Sequence, residues 1–185
     1  MSDYRRYYVK GGTFYFTVVT YSRQPILTTD QGRLFLRQAI QQVRDTRPFE
    51  LVANVLLPDH WHLVMQLPPG DTKYSLRMKR IKEEFTTRWL EEGLPESQVT
   101  AAQQHKGERG IWQPRFWEHT ILDEEDLERC VDYIHWNPRK HNLVARVRDW
   151  PWSTFHQFVE LGHYSIDWGG TEPKNMASLK DWGEP

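Results

Sequence analysis

Two histidines separated by one residue, His60 and His62, lie in the stretch Leu-Pro-Asp-His-Trp-His-Leu-Val-Met-Gln-Leu-Pro at 57–68. Side-chain character alternates through it. Trp61, Leu63, Met65 and Leu67 fall on one side and His60, His62, Val64 and Gln66 on the other, the period-two pattern of a strand covered on at least one face. Both imidazoles therefore leave the same side of one strand, roughly 6.5–7 Å apart along the chain, and can converge on one ion held between them. A divalent metal is the natural occupant. An isolated His-x-His is nevertheless more often one satisfied histidine beside the core and one facing water, so the pattern needs a second segment to carry weight.

That segment runs from Leu127 to Val144. Leu127, Cys130, Val131 and Ile134 recur at helical spacing, and the acidic run at 123–126 suits a helix N-terminus. Pro138 is expected to stop the helix after about four turns. Tyr133 and Asn137 are then one turn apart on one face. Taken alone, Tyr133 reads as a packing residue with its hydroxyl at the surface, and Asn137 as the residue before a proline.

Taken together, Leu-Pro-Asp-His-Trp-His-Leu-Val at 57–64 and Tyr-Ile-His-Trp-Asn-Pro-Arg-Lys-His-Asn-Leu-Val at 133–144 resemble the REP-associated tyrosine transposases. These are a branch of the single-tyrosine HUH nucleases, in which U is a hydrophobic residue. The resemblance extends from about Tyr15 to about Trp152 and includes Ile-Trp-Gln-Pro-Arg-Phe-Trp-Glu-His at 111–119. It implies a ferredoxin-like α+β fold, an antiparallel sheet with helices on one face and an additional C-terminal helix carrying the tyrosine. It also implies metal-dependent cleavage and strand transfer on single-stranded DNA, at palindromic hairpins of the repetitive extragenic type.

In that reading Tyr133 attacks a phosphodiester, giving a 5′-phosphotyrosine link and a free 3′-hydroxyl, and a second 3′-hydroxyl can reverse the step without a nucleotide cofactor. The phenol, with an unperturbed pKa of about 10, needs a polarised phosphate and help in losing its proton. A bound Mg²⁺ or Mn²⁺ supplies the first. His60 and His62 would be two of its ligands and Asn137 the third. Related single-tyrosine enzymes commonly have glutamine where Asn137 stands, so the shorter side chain demands a closer helix or a bridging water. Two imidazoles suit Mn²⁺, Co²⁺ or Zn²⁺ better than Mg²⁺ on ligand preference. His119, His135 and His141 rank behind His60 and His62. His119 reads first as structural, while His141 could meet phosphate.

The elements that must position these residues are readable along the chain. Strands are expected at 13–20, 49–57 and 115–121 besides the histidine strand, with helices at 30–44, capped near Thr29, and 73–90, and a short closing helix at 154–161. Residues 91–110 read as a loop or irregular helical excursion. The order strand, helix, strand, strand, helix, strand, helix is the ferredoxin-like arrangement with one helix added. One domain at 1–165 and a tail at 166–185 are expected, and no internal repeat is present.

With 38% hydrophobic and 26% charged residues the composition is that of an ordinary soluble protein. No apolar run approaches the roughly 20 residues of a spanning helix, and a lone cysteine, Cys130, excludes an intrachain disulfide and a cysteine-based zinc site. A cytoplasmic location, no membrane association and a monomer rather than a homodimer are expected. The formal charge of −1 makes any DNA surface local. Its candidate cations are Arg5 and Arg6 in the aromatic-basic arm, Arg77, Arg80 and Lys82 on the second helix, Arg115, Arg139 and Lys140, with Arg146 and Arg148 beyond. Three competing classes stand beside the transposase reading. A hairpin-binding protein with weak or no cleavage and a water-activating metal-dependent phosphodiesterase come first. A ferredoxin-like RNA-binding domain comes last, since its aromatic strand motif is missing.

Overall fold

The structure is a computed structural model in which residues 9–173 are described, so residues 4–8 of the aromatic-basic arm, with Arg5 and Arg6, and the end of the tail lie outside the described residues. Four strands form one antiparallel sheet: β1 (Thr13–Val19), β2 (Glu50–Leu56), β3 (His60–Gln66) and β4 (Trp117–Thr120), in the order β2-β3-β1-β4. The helices are α1 (Asp30–Thr46), α2 (Tyr74–Glu91), a short α3 (Ala101–His105) in the polar 91–110 segment, α4 (Glu124–Lys140) and α5 (Phe155–Glu160). This is the expected ferredoxin-like α+β topology, with the crossover helices α1 and α2 joining strands that are not neighbours.

The period-two alternation of β3 separates two cores. Trp61, Leu63, Met65 and Leu67 join Phe14, Phe16 and Val18 of β1 beneath α1 and α2, whose stripes contribute Phe35, Leu36, Ala39 and Val43, and Met78, Ile81, Phe85 and Trp89. On the other face Val64 joins Tyr15, Ala53 and Val55 beneath Cys130, Val131, Tyr133 and Ile134 of α4. The helix bearing Tyr133 is thus the additional one, alone on its face of the sheet among the long helices. A register shift between Leu51 and Ala53 in the β2–β3 ladder marks a bulge in the edge strand. The inner half of that strand is covered, with Leu56 N donating to Trp152 O and Thr154 N to Asn54 O.

α4 starts as the acidic run implies, with Asp123 capping Asp126 N at 2.8 Å and Glu124, Glu125 and Asp126 in its first turn. Its end differs from expectation, because Pro138 lies inside the helix, which continues to Lys140 and turns at Asn142 with φ +55. Proline removes one donor to the carbonyl a turn earlier, a tolerable loss so near the end. Leu143 N closes the terminus onto Pro138 O at 2.9 Å. Residues 164–169 pack back onto the domain: the Tyr164 hydroxyl donates to Asp132 at 2.5 Å, and the Trp168 ring lies 4.4 Å from that of Tyr164. Among the described residues no helix is long and apolar enough to cross a membrane.

The entry to α1 is tight. Thr29 Oγ1 accepts from Gly32 N at 3.0 Å, and a Cβ added at Gly32 would sit 2.0 Å from Ile26 O, a backbone atom. Gly32→Ala should therefore destabilise the protein by about 1–3 kcal/mol, read as a lower denaturation midpoint; an unchanged midpoint would show that the Ile26 backbone moves aside without cost.

Candidate active site

β3 is an interior strand, and its first residues carry the histidines into the core. His60 is 3% exposed and His62 is fully buried. Their rings lie 4.8 Å apart, steeply inclined to one another. The register sets Thr17 of β1 opposite His62, and Tyr15, two residues along β1, shares that face. Nδ1 of His62 lies 2.7 Å from the Tyr15 hydroxyl and 3.0 Å from the Thr17 hydroxyl.

His60 has a different partner. Its Nδ1 donates to Asp59 Oδ1 at 2.7 Å, while Arg23 holds the other Asp59 oxygen at 2.8 Å. Burial alone would raise the Asp59 carboxyl, but the hydrogen bonds and charges of His60 and Arg23 outweigh it and hold it at about 2. The turn before β3 is also pinned through its backbone, Thr20 donating to Asp59 O from both N and Oγ1 at 2.9 Å. Arg23 is presented by two successive non-glycine residues at positive φ, Ser22 at +51 and Arg23 at +52. Such a conformation persists only where surrounding contacts impose it.

α4 crosses this face with Tyr133 inward. The Tyr133 ring stands edge-on to His62 at 5.5 Å and to Tyr15 at 6.2 Å. Asn137, one turn on, is fully buried. At the helix end Lys140 Nζ donates to Tyr133 Oη at 2.7 Å, and the His141 ring lies 5.1 Å from that of His60. Residues 133–141 thus meet the start of β3, and sequence positions some 70 apart share one centre. For both histidines Nδ1 is engaged by an oxygen, the arrangement that fixes a ring with Nε2 as its ligating atom. Nε2 of His60 is buried with no hydrogen-bond partner among the described residues, a costly condition unless something else satisfies it. With the Asn137 amide, these residues fit a divalent cation.

The other expected positions are placed differently. Arg77, expected to face phosphate, is instead 3% exposed, bonded to Arg47 O, Pro48 O and Asp71 at 3.2, 2.8 and 2.7 Å. It fastens the start of α2 to the chain before β2. Lys82 donates to Gln113 O at 2.6 Å. Arg80 and Arg115 are exposed, Arg80 beside Glu83. Arg139 donates to Gly169 O, Arg146 pairs with Asp149 and Arg148 with Asp167. His119 Nε2 lies 2.7 Å from Asp126 Oδ2, which also accepts from Leu122 N. Together with Cys130 they form a group whose ligand-type atoms lie within 4.8 Å of one another. Asp126 is already saturated there by His119, Leu122 and Arg129, and burial raises the Cys130 thiol, so the group reads as an anchor for α4. Of the partners Tyr15, Thr17, Arg23 and Asp59, Asp59 is legible in the sequence as the acid beside His60, whereas Tyr15 and Thr17 become visible only once β1 is known to lie against β3.

A ferredoxin-like sheet thus carries two histidines on an interior strand that faces a buried helix tyrosine, and the chain as a whole is similar to known transposases. The family described as "Transposase IS200 like" matches residues 8–137, and the chain belongs to that family of transposase enzymes. It is 46% identical over 170 residues to a REP-associated tyrosine transposase of Escherichia coli strain K12, covering 92% of each chain. It is 45% identical over 172 residues to a putative REP-associated tyrosine transposase of Haemophilus influenzae, covering 92% of this chain and 94% of that one. A solved REP-associated tyrosine transposase bound to a REP hairpin superposes with a TM-score of 0.79 at 43% identity, over 100% of this chain and 98% of that chain.

His135, next to this centre in sequence, points elsewhere. It is fully buried, its Nε2 2.8 Å from Thr154 Oγ1, and burial pushes its imidazole down to about 3. The folded protein keeps it neutral where the unfolded chain titrates near 6.5. Its contribution to stability is therefore full above about pH 6.5 and is lost as pH falls towards 3. Denaturation midpoints should fall more steeply from pH 7 to 4.5 in the wild type than in His135→Gln; parallel profiles would contradict a neutral buried imidazole.

Proposed function

We propose that this protein is a metal-dependent single-stranded DNA endonuclease and strand transferase that acts on palindromic hairpins through a 5′-phosphotyrosine intermediate. The observation that carries the reading is the meeting of Tyr133 with His60, His62 and Asn137 across the α4–β3 contact. The hairpin-bound relative supports hairpin DNA as the substrate.

Tyr133 supplies the nucleophile. Its Oη bonds to phosphorus as the bond from phosphorus to the upstream 3′-oxygen breaks, so the phenolic proton is given up and the departing 3′-oxygen takes one. A second 3′-hydroxyl reverses the exchange and joins a new strand. His60, His62 and Asn137 would hold Mg²⁺ or Mn²⁺, which when bound supplies Lewis-acid polarisation of a nonbridging phosphate oxygen. Asp59 orients His60, and Tyr15 with Thr17 orients His62, so the imidazoles need no rearrangement to present Nε2. Exposed Arg80 and Arg115 are available for phosphate contacts along a strand or stem. A cytoplasmic monomer organised as one domain with a tail after residue 165 completes the proposal.

The test incubates the protein with labelled single-stranded hairpin DNA and Mn²⁺ or Mg²⁺ and separates products on a denaturing gel. Wild type should give a protein-linked strand, and Tyr133→Phe should lose at least about 10³-fold of it, as expected when a nucleophile is removed. Cleavage surviving in the variant would replace the tyrosine mechanism with activated water. Hairpin binding without cleavage in the wild type, with both metals, would leave a binding protein.

A further inference from the structure

We propose that Lys140 is a catalytic residue, its ε-ammonium stabilising the Tyr133 oxygen as that oxygen attacks phosphorus and again as it leaves. The proposal rests on the reading of Tyr133 as nucleophile. Two contacts place the ammonium: Nζ donates to Tyr133 Oη at 2.7 Å and lies 4.6 Å from the centroid of the same ring. A hydrogen bond from a charged donor is about twice as strong as a neutral one. Here it is aimed at the atom whose charge changes during the reaction, and although Lys140 is half-buried the phenol it meets is buried, so the contact is electrostatically stronger than in bulk water.

The helix is built to deliver this contact. Residues seven apart lie on one helical face, but are separated by roughly 10 Å of axial rise. Only a long side chain lying back along the helix can bridge that distance, and helical side chains lean towards the N-terminus. The reach requires α4 to stay helical through Pro138 as far as Lys140, as it does. A helix ending at the proline would release Lys140 from this register. Lysine suits the place because its compact charge donates to one oxygen, whereas the arginine fork matches two.

The chemistry balances in both directions. In cleavage, the bond from Oη to phosphorus forms and the phosphorus–3′-oxygen bond breaks. The phenolic proton goes to solvent and the 3′-oxygen gains one, while Lys140 keeps its protons and holds the phenolic oxygen by donation. In strand transfer the incoming 3′-hydroxyl gives its proton to solvent as its oxygen bonds to phosphorus, and Oη departs with the electron pair, stabilised by the same Nζ–H until it takes a proton back from solvent. A residue acting on Oη must therefore influence both steps, whereas one that merely grips a DNA phosphate acts on binding.

The experiment compares full-length wild type, Lys140→Met and Lys140→Arg on one labelled hairpin with Mn²⁺. It reads the dissociation constant, the single-turnover rate of adduct formation at saturating protein, and the rate at which a 3′-hydroxyl oligonucleotide releases the adduct. Lys140→Met should bind within about twofold of wild type and lose about 10²–10³-fold in adduct formation, the scale for removing one charge-stabilising donor. Its release step should slow comparably, and Lys140→Arg should recover part of both rates. Weaker binding by Lys140→Met with a wild-type rate at saturation would make Lys140 a phosphate anchor and overturn the proposal, as would unchanged binding and rates. Tyr133→Phe in parallel separates the two claims: an adduct lost in Tyr133→Phe but formed normally by Lys140→Met defeats only the lysine, whereas cleavage persisting in Tyr133→Phe defeats the tyrosine reading beneath it.

Discussion

The seating of α4 on the sheet face opposite the two crossover helices is the contact on which the site depends. Cys130, Val131 and Ile134 bury against Ala53, Val55 and Val64, each larger aliphatic contributing about 1.5–3 kcal/mol on full burial. That apolar packing fixes the helix in rotation and height. Tyr133, Asn137 and Lys140 then arrive over β3 because they share the buried face or its continuation at the C-terminal end. The acidic first turn and basic last turn match the helix dipole, and the His119–Asp126 pair ties the far end of α4 to β4.

The polar residues at this contact are expensive for the fold. Burying imidazoles and an amide costs stability unless each finds a partner. Asp59, itself held by Arg23, satisfies one side of His60, and Tyr15 with Thr17 satisfies one side of His62. These partners orient the rings as well as satisfying them. A core built for stability alone would carry apolar side chains at these positions. Two histidines of β3 meet a tyrosine and an asparagine of α4, with a lysine reaching back to the tyrosine, and this costly polar set is the one the proposed reaction centre uses.

Much of this was legible in the sequence, for identifiable reasons. β3 alternates without interruption, so both the strand and the face shared by His60 and His62 followed from period two. The stripes of α1, α2 and α4 gave the helices, and element order gave the topology. The end of α4 departs from expectation because the rule that proline stops a helix weakens in the last turn, where little hydrogen bonding remains to lose. Arg77 turns inward against expectation because a one-dimensional charge run does not reveal which cation is buried; carbonyls at 47 and 48, far away in sequence, decide it. Tyr15 and Thr17 were invisible for a similar reason. They look like ordinary strand residues until register places them against His62.

The central claim is that β3 and α4 together make a metal and tyrosine centre. The most direct measurement is anomalous diffraction at the manganese edge from crystals of the wild-type protein soaked in Mn²⁺. The account predicts one dominant peak bounded by Nε2 of His60, Nε2 of His62 and Oδ1 of Asn137, on the same face as Tyr133. A dominant peak among His119, Asp126 and Cys130 instead, or no peak at the β3 histidines at saturating Mn²⁺, would contradict it.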